Sequence, residues 1–543
     1  MLKRVIENWR AGLTVALISI PLSISLAVAS GARPEMGLIT AVWAGLLSAF
    51  FSGSNYNIVG PAGALSAALA AFSISEGMDL LPTLAIVTGI FIFIAYLFKL
   101  ERYLVLVPGS VMHGFSLGVG IIIGLGQLNF AFGLKNIPKH AEFLLNVKET
   151  FAHIGQIQFG TFAVFLAFLI GLFALVKLVP KIPGAILLTP FGILLGYLSE
   201  SGKIGLHIET LNQKFPNTSI SIFHIPQFHF SATIVSAALG IAFIAILETL
   251  VSAKIADVMT HTKFNRRKEM FGLSLANIAS GLFGGLPSTG VFVRTGLNIR
   301  SGATHKTAAG INAVCIALIS VFFFRFFKLI PMSVIAAILV FASIRMVEKK
   351  NLKEMWVSSR RDFWLALATT LTMVTVDTVV GIIVGSMLAL LFFIEHLSKG
   401  QFEMTINKEN KILERYYTEP KDCVMPGGDV AVYSMKGDLT YLNAEAHISR
   451  IERYENCYTT IVLRMRELTI VDLEGVHAFD DLIKHLKTDG KKIYVSSLSK
   501  RVVEMLEHSS AFKELKADNC VFEDTRLALQ SIGFKREHLE TQQ

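Results

Sequence analysis

The chain has 543 residues, 52% of them hydrophobic and only 17% charged, with a mean hydropathy of +0.56. Soluble globular domains carry roughly 25% charged residues, so composition excludes an ordinary soluble protein for most of the length and points to a polytopic membrane protein. The net charge of +9 lies largely in short loops between apolar runs, a pattern of membrane orientation rather than of a nucleic-acid surface.

The four cysteines, Cys315, Cys423, Cys457 and Cys520, are scattered. They offer neither a CxxC nor a zinc spacing, and no metal or cofactor is expected.

The N-terminal run MLKRVIENWRAGLTVALISIPLSISLAVASGA has the basic start and apolar middle of a signal peptide. Pro21 interrupts it and further apolar runs follow at once, so it reads as an uncleaved first span. A span needs about 20 apolar residues. Candidates run 10–30, 36–53, 61–75, 80–98, 103–125, 156–178 and 183–199, then 231–256, 270–285, 290–299, 307–325, 332–347, 363–377 and 378–396.

Placing the N-terminus in the cytoplasm puts Lys99, Arg102, Lys177, Lys181, the cluster Lys263 to Lys268, Arg300 and Lys349 to Arg361 there too, as the positive-inside rule asks. The polar stretch 200–228 then falls outside and divides fourteen spans into seven plus seven. An odd number per half inverts the second half relative to the first, an arrangement common in secondary transporters.

The third and tenth spans share a signature. NIVGPAGALSAALAAF carries Gly60 and Pro61, and GGLPSTGVFVRTG carries Pro287 and Gly290. Each leaves ten to fifteen helical residues, which at about 1.5 Å per residue cover half of a ~30 Å core. Broken spans in corresponding positions of two halves mark a binding site. Two half-helix N-termini facing each other offer free amides, near Val291 and Phe292 in the tenth span, and positive dipole ends to an anion.

In the eighth span Glu248 is the sole acidic residue between position 231 and Asp257, and a carboxylate at that depth is expected to face a cavity and work. Ser252 lies one turn on, on the same face. Arg294, one turn past the Gly290 break, supplies a fixed positive charge near an anion or pairs with Glu248. Asp377 reads as a turn and cap residue, and His113 as an interface group. No nucleophile elbow, P-loop or HExxH occurs, so neither an enzyme nor an ATP-driven pump is expected.

After about residue 397 the chain turns polar. Residues 398–427 read as a linker and 428–541 as a soluble α/β domain, with strands at 430–435, 460–465 and 492–498 alternating with helical stretches. The membrane part is 1–397, its halves 1–200 and 230–397.

AGLTVALISIPLSISLAVASGARPEMGL, the GPxxxxS of the third span, and ETLVSAKIADVMTHTKFNRRKEMFGLSLANIASGLFGGLPSTG followed by RTGLNIRSGAT resemble the SulP (sulfate permease) anion transporters, and the C-terminal domain resembles their STAS domain. The resemblance implies a polytopic α-helical fold of fourteen spans in a seven-plus-seven inverted repeat, with core and gate domains. It also implies a homodimer in the inner (plasma) membrane with cytoplasmic termini, and an elevator-like displacement. The anion would sit against backbone near Ala62, Gly63, Gly290, Val291 and Phe292, with Leu22 and Leu26 lining the pocket and Arg294 matching an arginine of many members.

Leu22 stands where many animal members have glutamine, which removes one polar contact. Glu248 and Ser252 match the carboxylate and hydroxyl of a sodium-dependent bicarbonate branch. Phe292 replaces a hydroxyl of that branch, which favours a coupling proton over sodium. In the domain's IVDLEGVHAF loop, Leu473 and Glu474 occupy the places of the serines phosphorylated in anti-sigma antagonists, leaving a regulatory or partner-docking role.

The expected function is secondary active transport of a small inorganic anion, sulfate or bicarbonate in class, coupled to protons. The alternatives are a C4-dicarboxylate transporter, an anion channel or STAS-signalling anion sensor, and a nucleobase permease, for which Arg294 stands where a second carboxylate is expected.

Overall fold

The computed structural model describes residues 2–179, 183–216, 218, 231–408, 411–417 and 430–533. The chain divides into two compact units, residues 1–389 and 390–543. The division falls inside the last apolar helix, a little before the expected boundary at 397.

Each of the fourteen apolar segments carries one helix. In the first half these are α1 (Leu2–Ala29), α2 (Pro34–Phe51), α3 (Gly63–Glu76), α4 (Leu81–Leu97), α5 (Gly109–Gly126), α6 (Phe159–Leu178) and α7 (Gly184–Glu200). The second half has α8 (Ala232–Thr260), α9 (Arg266–Leu282), α10 (Phe292–Arg300), α11 (Thr307–Phe327), α12 (Met332–Met346), α13 (Arg360–Thr375) and α14 (Thr378–Ser398).

Among the described residues, eight helices are long and apolar enough to cross a membrane. At 14 and 9 residues, α3 and α10 are too short to do so as helix alone. Pro21 does not break α1, which runs through it; a proline in a long packed helix removes one backbone donor and is tolerated when neighbours hold the segment.

The helices sort into two sets by their packing. In one, α4 packs on α8 and α9, while α11 packs on α1 and α2. Each half thus lends its fourth helix to the first two of the other half, as an inverted pair of repeats would. In the second set α5 packs on α12 and α13, and α6 packs on α7 and α12. The sets meet where α3 touches α5 and where α1 touches α7 and α12. Large apolar side chains on α6 and α14, such as Ile170, Leu391 and Phe393, are exposed, as a lipid-facing surface requires.

Local chemistry fixes the helix starts. Ser231 caps α8 by accepting the Ile234 N–H at 3.2 Å, and Asn265 caps α9 by accepting that of Lys268 at 3.0 Å; such a cap is worth about 1 kcal/mol. Asp377 accepts the Val379 N–H at 2.7 Å at the turn into α14, the role its position suggests. His113 Nδ1 lies 2.6 Å from Glu348 Oε2. Within the polar stretch 200–228, a short helix (Leu211–Lys214) begins at a capping box on Thr210; positions 217 and 219–228 lie outside the described residues.

The membrane unit holds the short strands β1 (Val59–Gly60) and β2 (Thr289–Gly290), and the second unit a six-stranded sheet with order β4-β3-β5-β6-β7-β8. Its strands are β3 (Gln401–Lys408), β4 (Lys411–Tyr416), β5 (Val430–Leu439), β6 (Thr460–Val471), β7 (Lys492–Ser496) and β8 (Val521–Phe522). Strands β5 to β8 are parallel; β3 and β4 form an antiparallel hairpin added at the edge.

Residues 401–408 and 411–416, read from sequence as linker, are therefore strands of this sheet. Their polar residues alternate with Phe402, Met404 and Ile406, which are buried, and one-sided alternation reads weakly in so charged a stretch. Of the rest of that linker reading, 398–400 and 417 lie outside the strands, with Ser398 ending α14, and 409–410 and 418–427 lie outside the described residues. On β5, Ala431, Tyr433 and Met435 join one core and Val430 and Val432 the other. Burial on both faces explains why VAVYSM is continuously apolar.

Candidate functional site

The two broken spans meet. Ahead of α3, β1 (Val59–Gly60) pairs antiparallel with β2 (Thr289–Gly290) ahead of α10, with Val59 opposite Gly290 and Gly60 opposite Thr289. Because the strands are antiparallel and each runs straight into a helix, α3 and α10 leave the ladder in opposite directions with their N-termini towards each other. Pro61 and Pro287 fit beside the ladder because a residue that lacks an N–H interrupts hydrogen-bonded structure at little cost there.

Ala62 and Val291 are the N-cap positions, and neither N-terminus has a side-chain cap. The Val291 amide does not face open space, contrary to the sequence expectation: it donates to the Ile58 carbonyl at 2.8 Å, and the Gly290 amide to Thr249 Oγ1, also at 2.8 Å. The segment preceding α3 takes the first and α8 the second. The amides left uncapped are those of the first turns, Gly63 and Ala64 on α3 and Phe292 and Val293 on α10. Leu26 of α1 is buried 3.7 Å from where a Cβ on Gly63 would stand, and Leu22, one turn earlier, is half-buried against the same core.

Arg294 is only 2% exposed, and among the described residues its Nε and Nη2 have no hydrogen-bond partner. Its Nη1 lies over Gly60, where a Cβ would come within 2.9 Å. Among the described residues Arg294 forms no direct ion pair with Glu248, although the two charges attract. A buried guanidinium with orphaned donors costs several kcal/mol unless an acceptor occupies the space beside it.

Glu248 is buried, and its Oε2 accepts the Thr289 hydroxyl at 2.8 Å. Ser252 does not join it. Its hydroxyl donates to Asn57 Oδ1 at 2.7 Å and lies 3.1 Å from Thr295 Oγ1. Thr295 in turn donates to Asn57 Oδ1 at 2.9 Å and accepts the Ile58 amide at 3.0 Å.

The network ends on Glu269, fully buried at the start of α9. Its Oε1 accepts Asn57 Nδ2 at 2.7 Å, and its Oε2 accepts the Gly53 and Ser54 amides, each at 2.8 Å. Asn57, Thr289, Thr295 and Glu269 were missed by reading the sequence. Thr289 and Thr295 flank the singled-out Gly290 and Arg294, a usable signal; Glu269 looks like one more charge in a basic loop.

Comparison with known proteins agrees with this architecture. Residues 6–369 match the Sulfate permease family and residues 426–526 the STAS domain. A putative sulfate transporter, YvdB of Bacillus subtilis (strain 168), is 28% identical over 93% of this chain and 94% of its own. The bicarbonate transporter BicA of Picosynechococcus sp. is 26% identical over 94% of this chain and 92% of its own.

Among solved structures, the murine SLC26 family member A9 anion transporter in the inward-facing state superposes with a TM-score of 0.80 at 15% identity, over 98% of this chain and 92% of that one. The transmembrane domain of a cyanobacterial BicA gives 0.59 at 22% identity, over 72% and 98%. The first match spans both units and the second the membrane unit. With a family match over more than half of its length, the chain belongs to the Sulfate permease family, as a multi-pass membrane transporter with a C-terminal STAS domain.

Proposed function

We propose that the protein is a secondary active transporter of a small inorganic anion, sulfate or bicarbonate in class, that binds the anion between the N-termini of α3 and α10. The observation that carries this reading is Arg294, buried beside two uncapped helix ends with two guanidinium nitrogens unpartnered. Two positive dipole ends and a fixed cation in a dry setting select negative charge. Ala62, Gly63, Gly290, Val291 and Phe292 shape the pocket, and Leu22 and Leu26 give it an apolar wall. Of the backbone donors, the first-turn amides of the two helices do the binding.

Glu248 is the coupling residue in this reading and takes a proton. Held by Thr289 and surrounded by apolar helix, it gains from neutralisation. Ser252 belongs to the Asn57 network, so the sodium pair matched on sequence is not assembled around Glu248. With an anion on Arg294 and a proton on Glu248 the loaded site carries little net charge. Only then does the core set of helices (α1–α4 and α8–α11) slide readily against the second set, an elevator-like step across the apolar contacts of α1 and α3 with α5, α7 and α12. The protein would be a homodimer of the inner (plasma) membrane with cytoplasmic termini, and its STAS domain a docking site for a regulatory partner.

The test is uptake into proteoliposomes of labelled sulfate, bicarbonate, succinate and uracil under imposed proton or sodium gradients. Proton-driven uptake of sulfate or bicarbonate supports the proposal. Uptake of succinate alone makes the protein a dicarboxylate carrier, and uracil uptake overturns the anion reading. Current without coupled proton flux makes it a channel.

A further inference from the structure

A cavity of about 160 Å³ lies beside α3, α1 and α5, away from the β1–β2 ladder. It begins at Ser66, in the first turn of α3, and follows that helix towards its C-terminal end at Ala70 and Ile74. The far wall is the end of α5, and a short helix (Phe143–Ala152) and the preceding loop cover it. The helices α1, α3 and α5 all end on this side, which is the outer side if the termini are cytoplasmic as proposed.

Two features suit this cavity to a negative charge. Lys139 lines it and, among the described residues, is the only lysine or arginine to do so. Gln127, at the end of α5, also lines it, is 3% exposed, and its side-chain oxygen has no partner among the described residues. A buried amide with unmet hydrogen bonds implies a polar occupant, and its NH2 end is the donor an anion takes.

The loop that carries Lys139 is fixed in place. Asn146 accepts the His140 amide at 2.9 Å and donates to the His140 carbonyl at 2.6 Å. The cavity does not continue to the midplane, because Ile123 of α5 presses against α3: a Cβ on Gly63 would meet Ile123 Cδ1 at 2.5 Å.

We infer that this cavity is an outer waiting site for the transported anion, in which Lys139 captures the ion and Gln127 exchanges a hydrogen bond for part of its water shell. The Ile123–Gly63 contact is the shutter that separates it from the midplane site. The inference rests on the anion-transport reading above and deepens it.

Two measurements test it. The first is uptake kinetics from the outside at low ionic strength for Lys139→Gln and Lys139→Arg. Loss of the capturing charge is expected to raise KM roughly tenfold with kcat little changed, an effect that fades with added salt, whereas Lys139→Arg stays near the parent value. A Lys139→Gln KM within twofold of the parent overturns the inference.

The second places Ala70→Cys in a chain whose four native cysteines are serine, and follows its labelling by an impermeant cationic thiol reagent from outside. Sulfate and bicarbonate are each added at up to about 10 mM, and whichever the parent chain takes up is expected to slow labelling. Unslowed labelling in a transporting protein overturns the waiting site and leaves the transport reading standing. Slowed labelling in a protein that moves no anion does the reverse.

Discussion

Gly60 lies directly against Arg294: a Cβ on residue 60 would stand 2.9 Å from Arg294 Nη1. The obstructing atom is the far end of a flexible side chain, so Gly60→Ala is expected to fold and to displace the guanidinium rather than the backbone. Uptake should fall at least tenfold through a raised KM. Arg294→Gln should do the same or worse, and Arg294→Lys should restore part of the affinity as a point charge without the planar fork. Size-exclusion profiles checked beside the kinetics separate the site effect from misfolding.

Glu269 joins the loop before α3 to the start of α9 through three hydrogen bonds, two of them to backbone amides. Glu269→Ala leaves buried donors unpaired and is expected to destabilise the protein by about 3 kcal/mol, read as a lower melting temperature in detergent. Asn57→Ala, which also cuts the links to Ser252 and Thr295, should cost a comparable amount. A melting temperature unchanged in both would show that the network is not what holds β1 in register with β2.

Glu248 and Thr289 form a separate pair. Glu248→Gln keeps the shape and removes the titration, so it should abolish accumulation driven by a proton gradient while leaving anion exchange at equilibrium. Thr289→Val removes the hydroxyl donor and should weaken coupling less. Gradient-driven accumulation by Glu248→Gln equal to the parent would remove Glu248 from the coupling role.

In the second unit, His447 is 1% exposed; its Nδ1 meets the Tyr433 hydroxyl at 2.8 Å and its Nε2 has no hydrogen-bond partner among the described residues. Burial, reinforced by the Arg450 guanidinium, lowers its pKa to about 4. An unfolded chain takes up that proton near pH 6.5, whereas the folded one refuses it until about pH 4. Stability is thus intact above pH 6.5 and falls as pH drops through that window, by up to about 3 kcal/mol. Hydrogen exchange along β5 between pH 7 and 4.5 reads this, corrected for the intrinsic pH dependence of exchange. His447→Asn should flatten the profile; an equally steep profile in the variant would assign the slope to another group.

The helices were legible because membrane spans announce themselves by composition, and the paired breaks because glycine and proline are poor choices inside a span. What the sequence could not supply was where the freed backbone groups go. Val291 reads as a free amide until β1 is seen to pair with β2, since strand pairing between residues 59 and 290 has no local signal. Ser252 reads as a partner of Glu248 by helical periodicity alone, whereas tertiary packing hands it to Asn57. Phe402, Met404 and Ile406 form a strand that a linker-like composition conceals. Glu269 needed its three distant donors to be told apart from its basic neighbours.

The central claim is that a small anion is moved through the paired break of α3 and α10, held by Arg294. Its most direct test is proton-driven uptake of labelled sulfate and bicarbonate by purified, reconstituted protein, comparing the parent chain with Arg294→Gln. The account expects saturable uptake by the parent and a loss of at least tenfold in kcat/KM in the variant. Uptake of either anion by Arg294→Gln with parental kcat/KM would contradict it.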